Sequence, residues 1–147
     1  IEYNARLGDP EAMNVLSLMK TDFLKVCGDI VGGTLTKSSV EFDGLSTVCK
    51  YAVPVGYPNN PSKDFVVNCN SKDPSIYLAS VKLVKNRVVA CGSRTVAVVG
   101  KDKNVSVAER LAEKLVSSIG GDLFHRKDIG TESLISGRVN RMEKILK

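Results

Sequence analysis

The chain has 147 residues, 43% of them apolar and 25% charged, with a formal net charge of +5. That length allows one domain, or one small domain with a piece of another, and the composition is neither disordered nor fibrous. No apolar run reaches the roughly 18 residues of a spanning helix, so no membrane partner is expected.

Other bulk features narrow the classes further. With no Trp and few aromatics, the core must be aliphatic. The net positive charge suits an anionic partner. Lys and Arg are scattered, however, and no aromatics interleave with them, which argues against nucleic acid. A non-catalytic basic α+β module that binds nucleic acid or another anion stands as the alternative function. Cys27, Cys49, Cys69 and Cys91 lie about twenty residues apart with no CxxC pair, poor spacing for a metal site. They read as reduced thiols of a cytoplasmic protein.

Residues 1–6, IEYNAR, alternate apolar and polar. This predicts a strand with Glu2, Asn4 and Arg6 on one face. Gly8 turns the chain, Asp9 is the expected N-cap and Pro10 the first position of a helix running to about Met19. Thr21 is expected to cap a second helix that buries Phe23, Leu24, Cys27, Ile30 and Val31 and ends at Gly32-Gly33. A polar connector, GGTLTKSSVEFDG, follows.

The middle of the chain reads as β. STVCKYAVPV is a strand that ends, or lies at an edge, at Pro54. GYPNNPSKD is a loop, and FVVNC a short strand. IYLASVKLV and RVVACG flank Lys85-Asn86 as a hairpin, and RTVAVVGK is a central strand. Ser106 and Glu109 then form an apparent capping box. Ala108, Leu111, Ala112, Leu115, Val116 and Ile119 make the buried stripe of that helix, and Gly120-Gly121 stop it. Strands followed by a helix, without regular βα alternation, predict an α+β fold with a mostly antiparallel sheet and a packed helix.

The opening stretch carries the densest chemistry. Glu2 and Asn4 offer hard oxygen donors of the kind Mg²⁺ takes in ones and twos. Arg6, one pleat further, suits phosphoryl oxygens held beside such a metal. A half-exposed strand with a polar outer face, followed by an ordinary capped helix, explains the same letters.

Six segments, in order, carry a resemblance: IEYNARLGDPEAM, LMKTDFLKVC, GYPNNPSKD, ACGSRTVAVVGK, NVSVAERLAEKL and HRKDIG. Together they resemble the phosphoribosylamine–glycine ligase (glycinamide ribonucleotide synthetase) family of the ATP-grasp superfamily, over roughly residues 1–130. The resemblance implies an enzyme that joins glycine to 5-phosphoribosylamine at the expense of ATP, through a glycyl phosphate. It implies Glu2 and Asn4 as ligands of Mg²⁺ or Mn²⁺, Arg6 as the catalytic group on the transferring phosphoryl, and Asp9 and Glu11 as substrate-binding residues.

The similarity starts late in the family pattern, and there is no initiator Met. The chain is therefore expected to be the C-terminal part of a longer ligase, inactive without its N-terminal remainder. Residues 1–44 would end the ATP-grasp domain, 45–130 would form the C-terminal domain, and 131–147 a helical tail. Two departures stand out: CKYAVPVGYP is bulkier than the family's glycine-rich run, and the loop after GYP is rich in Asn and Pro. His125-Arg126-Lys127-Asp128 read either as an ion-paired turn between Arg126 and Asp128, or as residues that line the domain interface or approach the nucleotide. Arg94 is either structural or reaches toward the active site.

Overall fold

The computed structural model describes residues 4–70 and 72–146. The chain divides into two compact units, Ile1–Leu45 and Ser46–Lys147.

The first unit is helical. Helix α1 spans Glu11–Leu16 and α2 spans Phe23–Gly32. Helix α1 is shorter than expected, and Pro10 rather than Asp9 takes the N-cap position, with no side-chain cap. After Leu16 the chain leaves the helix and extends: Met19 bridges Phe42, Lys20 N–H donates to the Glu41 carbonyl and Asp43 N–H to the Leu18 carbonyl. The second N-cap is Asp22, not Thr21. The Asp22 carboxylate accepts from Leu24 and Lys25 N–H, because it reaches both first-turn donors. Thr21 is otherwise engaged, its Oγ1 accepting from Glu41 N–H at 2.8 Å. Gly33, at φ 66°, ends α2 in the left-handed conformation that glycine adopts without strain. The polar connector holds a single 3₁₀ turn, Lys37–Ser39, with a Thr36/Ser39 capping box.

The expected burial of α2 does not occur. Only Val26 is buried, while Phe23, Leu24, Ile30 and Val31 are exposed, Val31 at 90%. Within its own unit, the helix has too few layers to cover that stripe.

The second unit is α+β. Strands β1 (Ser46–Pro54), β2 (Ile76–Leu78), β5 (Val96–Asp102) and β6 (Leu123–Phe124) form a sheet in the order β2-β5-β1-β6, with every pairing antiparallel. Strand β5 is central, as its nearly continuous apolar run implies, and β1 ends at Pro54. The segment IYLASVKLV is not one strand: β2 joins the sheet, whereas β3 (Val81–Val84) pairs only with β4 (Arg87–Ala90). The break lies at Ala79-Ser80, whose N–H groups donate to the carbonyls of Thr95 and Arg94. Lys85 and Asn86 close the hairpin, both at positive φ (46° and 61°), the backbone of a tight hairpin turn. FVVNC forms no ladder. It makes single bridges, Val66 to Val89 and Asn68 to Gly120.

Helix α3 (Val105–Ser117) lies on β1 and β5. Its cap is Asn104, whose side chain accepts from Ser106 N–H; Ser106 is already helical. Ala108, Ala112 and Val116 are buried against Val48, Ala52, Val96 and Val98. Leu111, expected in that stripe, is exposed. Each fully buried valine contributes roughly 1.5–3 kcal/mol. The alanines matter for another reason. A Cβ on Gly100 would collide with the Ala108 carbonyl oxygen, so glycine in β5 and alanine in α3 let the helix backbone settle directly on the strand. Helix α4 (Glu132–Ile145), capped by Thr131, follows and has no buried residue.

Candidate functional site

Asn4, Arg6 and Glu11 come together in the first unit. They border a cavity of about 380 Å³ whose apolar walls include Leu7, Val15 and Leu16. Residues 4–6 do not form the expected strand: Ala5 and Arg6 are in a bend. Asn4 and Arg6 nevertheless stay together, because Arg6 Nη1 donates to Asn4 Oδ1 at 2.8 Å and to the Leu7 carbonyl at 2.9 Å.

Gly8 explains the convergence of the rest. A Cβ there would strike Glu11 Oε2 and lie 3.1 Å from Asn4 Oδ1. The bare glycine thus lets the Glu11 carboxylate and the Asn4 amide oxygen both approach its Cα. Two hard oxygen donors so placed fit a Mg²⁺-type cation, which keeps its remaining positions for water or phosphate. The guanidinium beside them fits phosphoryl oxygens. Asp9 is exposed in the turn before α1. The proposed ligand Glu2 lies outside the described residues. Among the described residues, no cluster of three or more His, Cys, Asp or Glu forms a metal site by itself.

A second polar cluster, in the other unit, was not evident from sequence. Lys50 is 1% exposed, on the same face of β1 as Val48 and Ala52. Its Nζ donates to Glu109 Oε1 (2.7 Å), Glu113 Oε2 (2.6 Å) and the Lys127 carbonyl (2.9 Å). The other oxygen of Glu113 meets His125 Nε2 at 3.0 Å. Burial alone would raise the Glu113 pKa. The hydrogen bonds and charge from Lys50 and His125 outweigh it and hold the carboxyl at about 2. Sequence held a signal for this cluster: a lysine on an inward pleat, and two glutamates four apart on the helix that covers it.

Arg126, Asp128 and Arg94, from the signature segments, have structural contacts. Arg126 and Asp128 form a two-point ion pair, Nε to Oδ1 at 3.0 Å and Nη2 to Oδ2 at 2.6 Å. The same pairing depresses the Asp128 pKa. Arg94 lies over the Tyr51 ring, 5.9 Å from its centroid. Among the described residues, which include all four cysteines, no disulfide forms. No helix among them is long and apolar enough to cross a membrane.

Comparison with known proteins agrees with this architecture. Residues 47–132 match the family model described as phosphoribosylglycinamide synthetase, C domain. The chain is 47% identical over 146 residues to the phosphoribosylamine–glycine ligase of Methanosarcina barkeri, covering 99% of this chain and 34% of the relative. It is 50% identical over 146 residues to that of Methanococcoides burtonii, again across 99% of this chain and 34% of the relative. The crystal structure of the phosphoribosylamine–glycine ligase of Thermotoga maritima superposes with a TM-score of 0.73 at 27% identity, covering 88% of this chain and 32% of that one. The chain thus spans about a third of the length of the curated relatives it matches. By a match that covers most of its second unit, from β1 to the start of α4, the chain belongs to the phosphoribosylglycinamide synthetase C-domain family.

Proposed function

We propose that this chain is the C-terminal part of a cytoplasmic ATP-dependent ligase of purine biosynthesis. The ligase joins glycine to 5-phosphoribosylamine and releases glycinamide ribonucleotide, ADP and phosphate. The observation that carries the reading is the 47% identity, across 99% of the chain, to a relative named phosphoribosylamine–glycine ligase. Residues 1–44 then end the ATP-grasp domain, 45–130 form the C-terminal domain, and 131–147 are a helical tail. The longer remainder of such a ligase is the partner that grips ATP and covers the apolar face of α2, where Phe23, Leu24, Ile30 and Val31 are exposed.

Chemically, the γ-phosphoryl of ATP passes to a carboxylate oxygen of glycine. The amine of phosphoribosylamine then attacks the activated carbonyl carbon and phosphate leaves. Arg6 clamps the phosphoryl oxygens during transfer, where a planar guanidinium matches their geometry and neutralises their charge. Asn4 and Glu2, with the Glu11 carboxylate beside Asn4, would hold Mg²⁺ or Mn²⁺. When bound, that cation would draw phosphate oxygens together and offset their charge. Asp9 and the unshared part of Glu11 serve the substrate end, where carboxylates hold the glycine ammonium or the ribosyl hydroxyls.

The test is product formation. The full natural polypeptide, given ATP, glycine, phosphoribosylamine and Mg²⁺, is expected to form glycinamide ribonucleotide, detected by its mass. The 147-residue chain alone is expected to form none. A full polypeptide that forms no product under these conditions, while folded, would contradict the reading.

A further inference from the structure

Asn4 Oδ1 has two claimants. With the Glu11 carboxylate it approaches Gly8, and it is one of the hard oxygen donors that suit a divalent cation. Yet the same oxygen accepts a hydrogen bond from Arg6 Nη1 at 2.8 Å. An amide oxygen has two lone pairs, so it can accept from a guanidinium and a neutral donor together. A guanidinium and a divalent cation are a different case. On one oxygen they are like charges a few ångströms apart, and they repel.

The way Arg6 is held says which of the two gives way. Nη1 alone is engaged, shared between Asn4 Oδ1 and the Leu7 carbonyl at 2.9 Å. Nε and Nη2 have no partner among the described residues. The side chain is exposed, and both of its acceptors are neutral. Two neutral acceptors on one nitrogen hold a guanidinium less firmly than a phosphoryl group, whose charge and oxygen spacing match the whole fork. Phosphate beside the site therefore draws Arg6 off Asn4.

We propose that Arg6 competes with the cation for Asn4 Oδ1, so that cation and nucleotide phosphates each strengthen the other's binding. Without phosphate, Arg6 holds cation affinity down. With phosphate, the guanidinium moves to the phosphoryl oxygens and Asn4 Oδ1 is open to the metal. The negative charge then standing between the two cations offsets their repulsion. This competition rests on the ligase reading, from which both the metal and the phosphates come.

Mn²⁺ binding to the full natural polypeptide, followed by the electron paramagnetic resonance of the free ion, tests it without turnover. The probes are Mn²⁺ alone and Mn²⁺ with a non-hydrolysable ATP analogue, corrected for Mn²⁺ held by the analogue itself. Without the analogue, Arg6→Ala is expected to bind Mn²⁺ about tenfold more tightly than the wild type, because a like charge is gone. With the analogue, the wild type is expected to tighten and the variant to gain less. In an Asn4→Ala background, Arg6→Ala is expected to bring no gain. Both side chains are exposed and their mutual bond is local, so circular dichroism should stay that of the wild type. An Arg6→Ala affinity equal to or below the wild type's, without the analogue, overturns the competition. So does a gain of the same size in the Asn4→Ala background, since the charge would then act without Oδ1. Mn²⁺ bound by no form, with or without the analogue, contradicts the metal assignment of the ligase reading and the competition with it.

Discussion

Lys50 Nζ lies 2.6 Å from Glu113 Oε2 with the lysine side chain wholly buried, so an ion pair joins the inward face of β1 to α3. Such a pair survives only if every donor is met, and here Glu109, Glu113 and the Lys127 carbonyl meet all three. The cluster therefore fixes three elements at once: the strand, the helix, and the HRKDIG segment.

Removing the lysine should expose how much depends on it. Lys50→Met would leave two carboxylates facing an apolar side chain and a carbonyl without its donor. The expected cost is about 3 kcal/mol, the lower end for a broken buried pair, because the glutamates can partly rehydrate. Urea denaturation measures it. Adding Glu109→Gln and Glu113→Gln should recover much of the loss by removing the unpaired charge.

The same pair sets an acid limb. Glu113 is held at about 2 in the folded chain against an ordinary 4.5. A depressed folded value means that the unfolded state binds the proton more readily. The stabilisation is therefore full above about pH 4.5 and is lost as pH falls toward 2. Glu113→Gln should flatten that part of the stability–pH curve. An unchanged slope in the variant would show that the pairing is not the cause.

Two glycines should refuse a methyl group for different reasons. Gly100→Ala would drive a Cβ into the Ala108 carbonyl and 2.7 Å from Ala112 N, prising α3 off β5, with an expected loss of about 3 kcal/mol. Gly130 combines φ 79° with a Cβ position 2.6 Å from Val48 Cγ1. Gly130→Ala should therefore cost backbone strain as well as packing, about 2–4 kcal/mol together. Thermal melts of the two variants report both. This contact also gives a physical reason for the glycine that closes HRKDIG.

Much of the second unit was legible in the sequence, because its signals are local and periodic. The run at Val96–Val99 is apolar on both faces, so its central position follows. The Ala108, Ala112 and Val116 spacing placed α3. Errors arose where two local options competed. Ser106 and Glu109 read as a capping box, but Asn104 holds the cap and Glu109 is drawn to Lys50. The first unit was read less well. Its apolar stripe on α2 has the pattern of a buried face, yet Phe23, Leu24, Ile30 and Val31 are exposed. The bend at Ala5-Arg6 also escaped the period-two reading, since alternation says which side chains share a face and not whether a neighbouring strand exists to hold it. The pairing of Asn4 with Arg6 survived that change because it is a direct hydrogen bond.

The proposed phosphoryl-clamping role of Arg6 is open to the most direct test. In the full natural polypeptide, Arg6→Ala should lower glycine-dependent ADP release in the presence of phosphoribosylamine by about 10²–10³-fold, the usual loss for one group that stabilises charge in a transition state. The melting temperature should stay that of the wild type, because Arg6 is exposed and its bonds are local. Turnover equal to the wild type in a folded Arg6→Ala variant would contradict the assignment of this cavity to phosphoryl transfer.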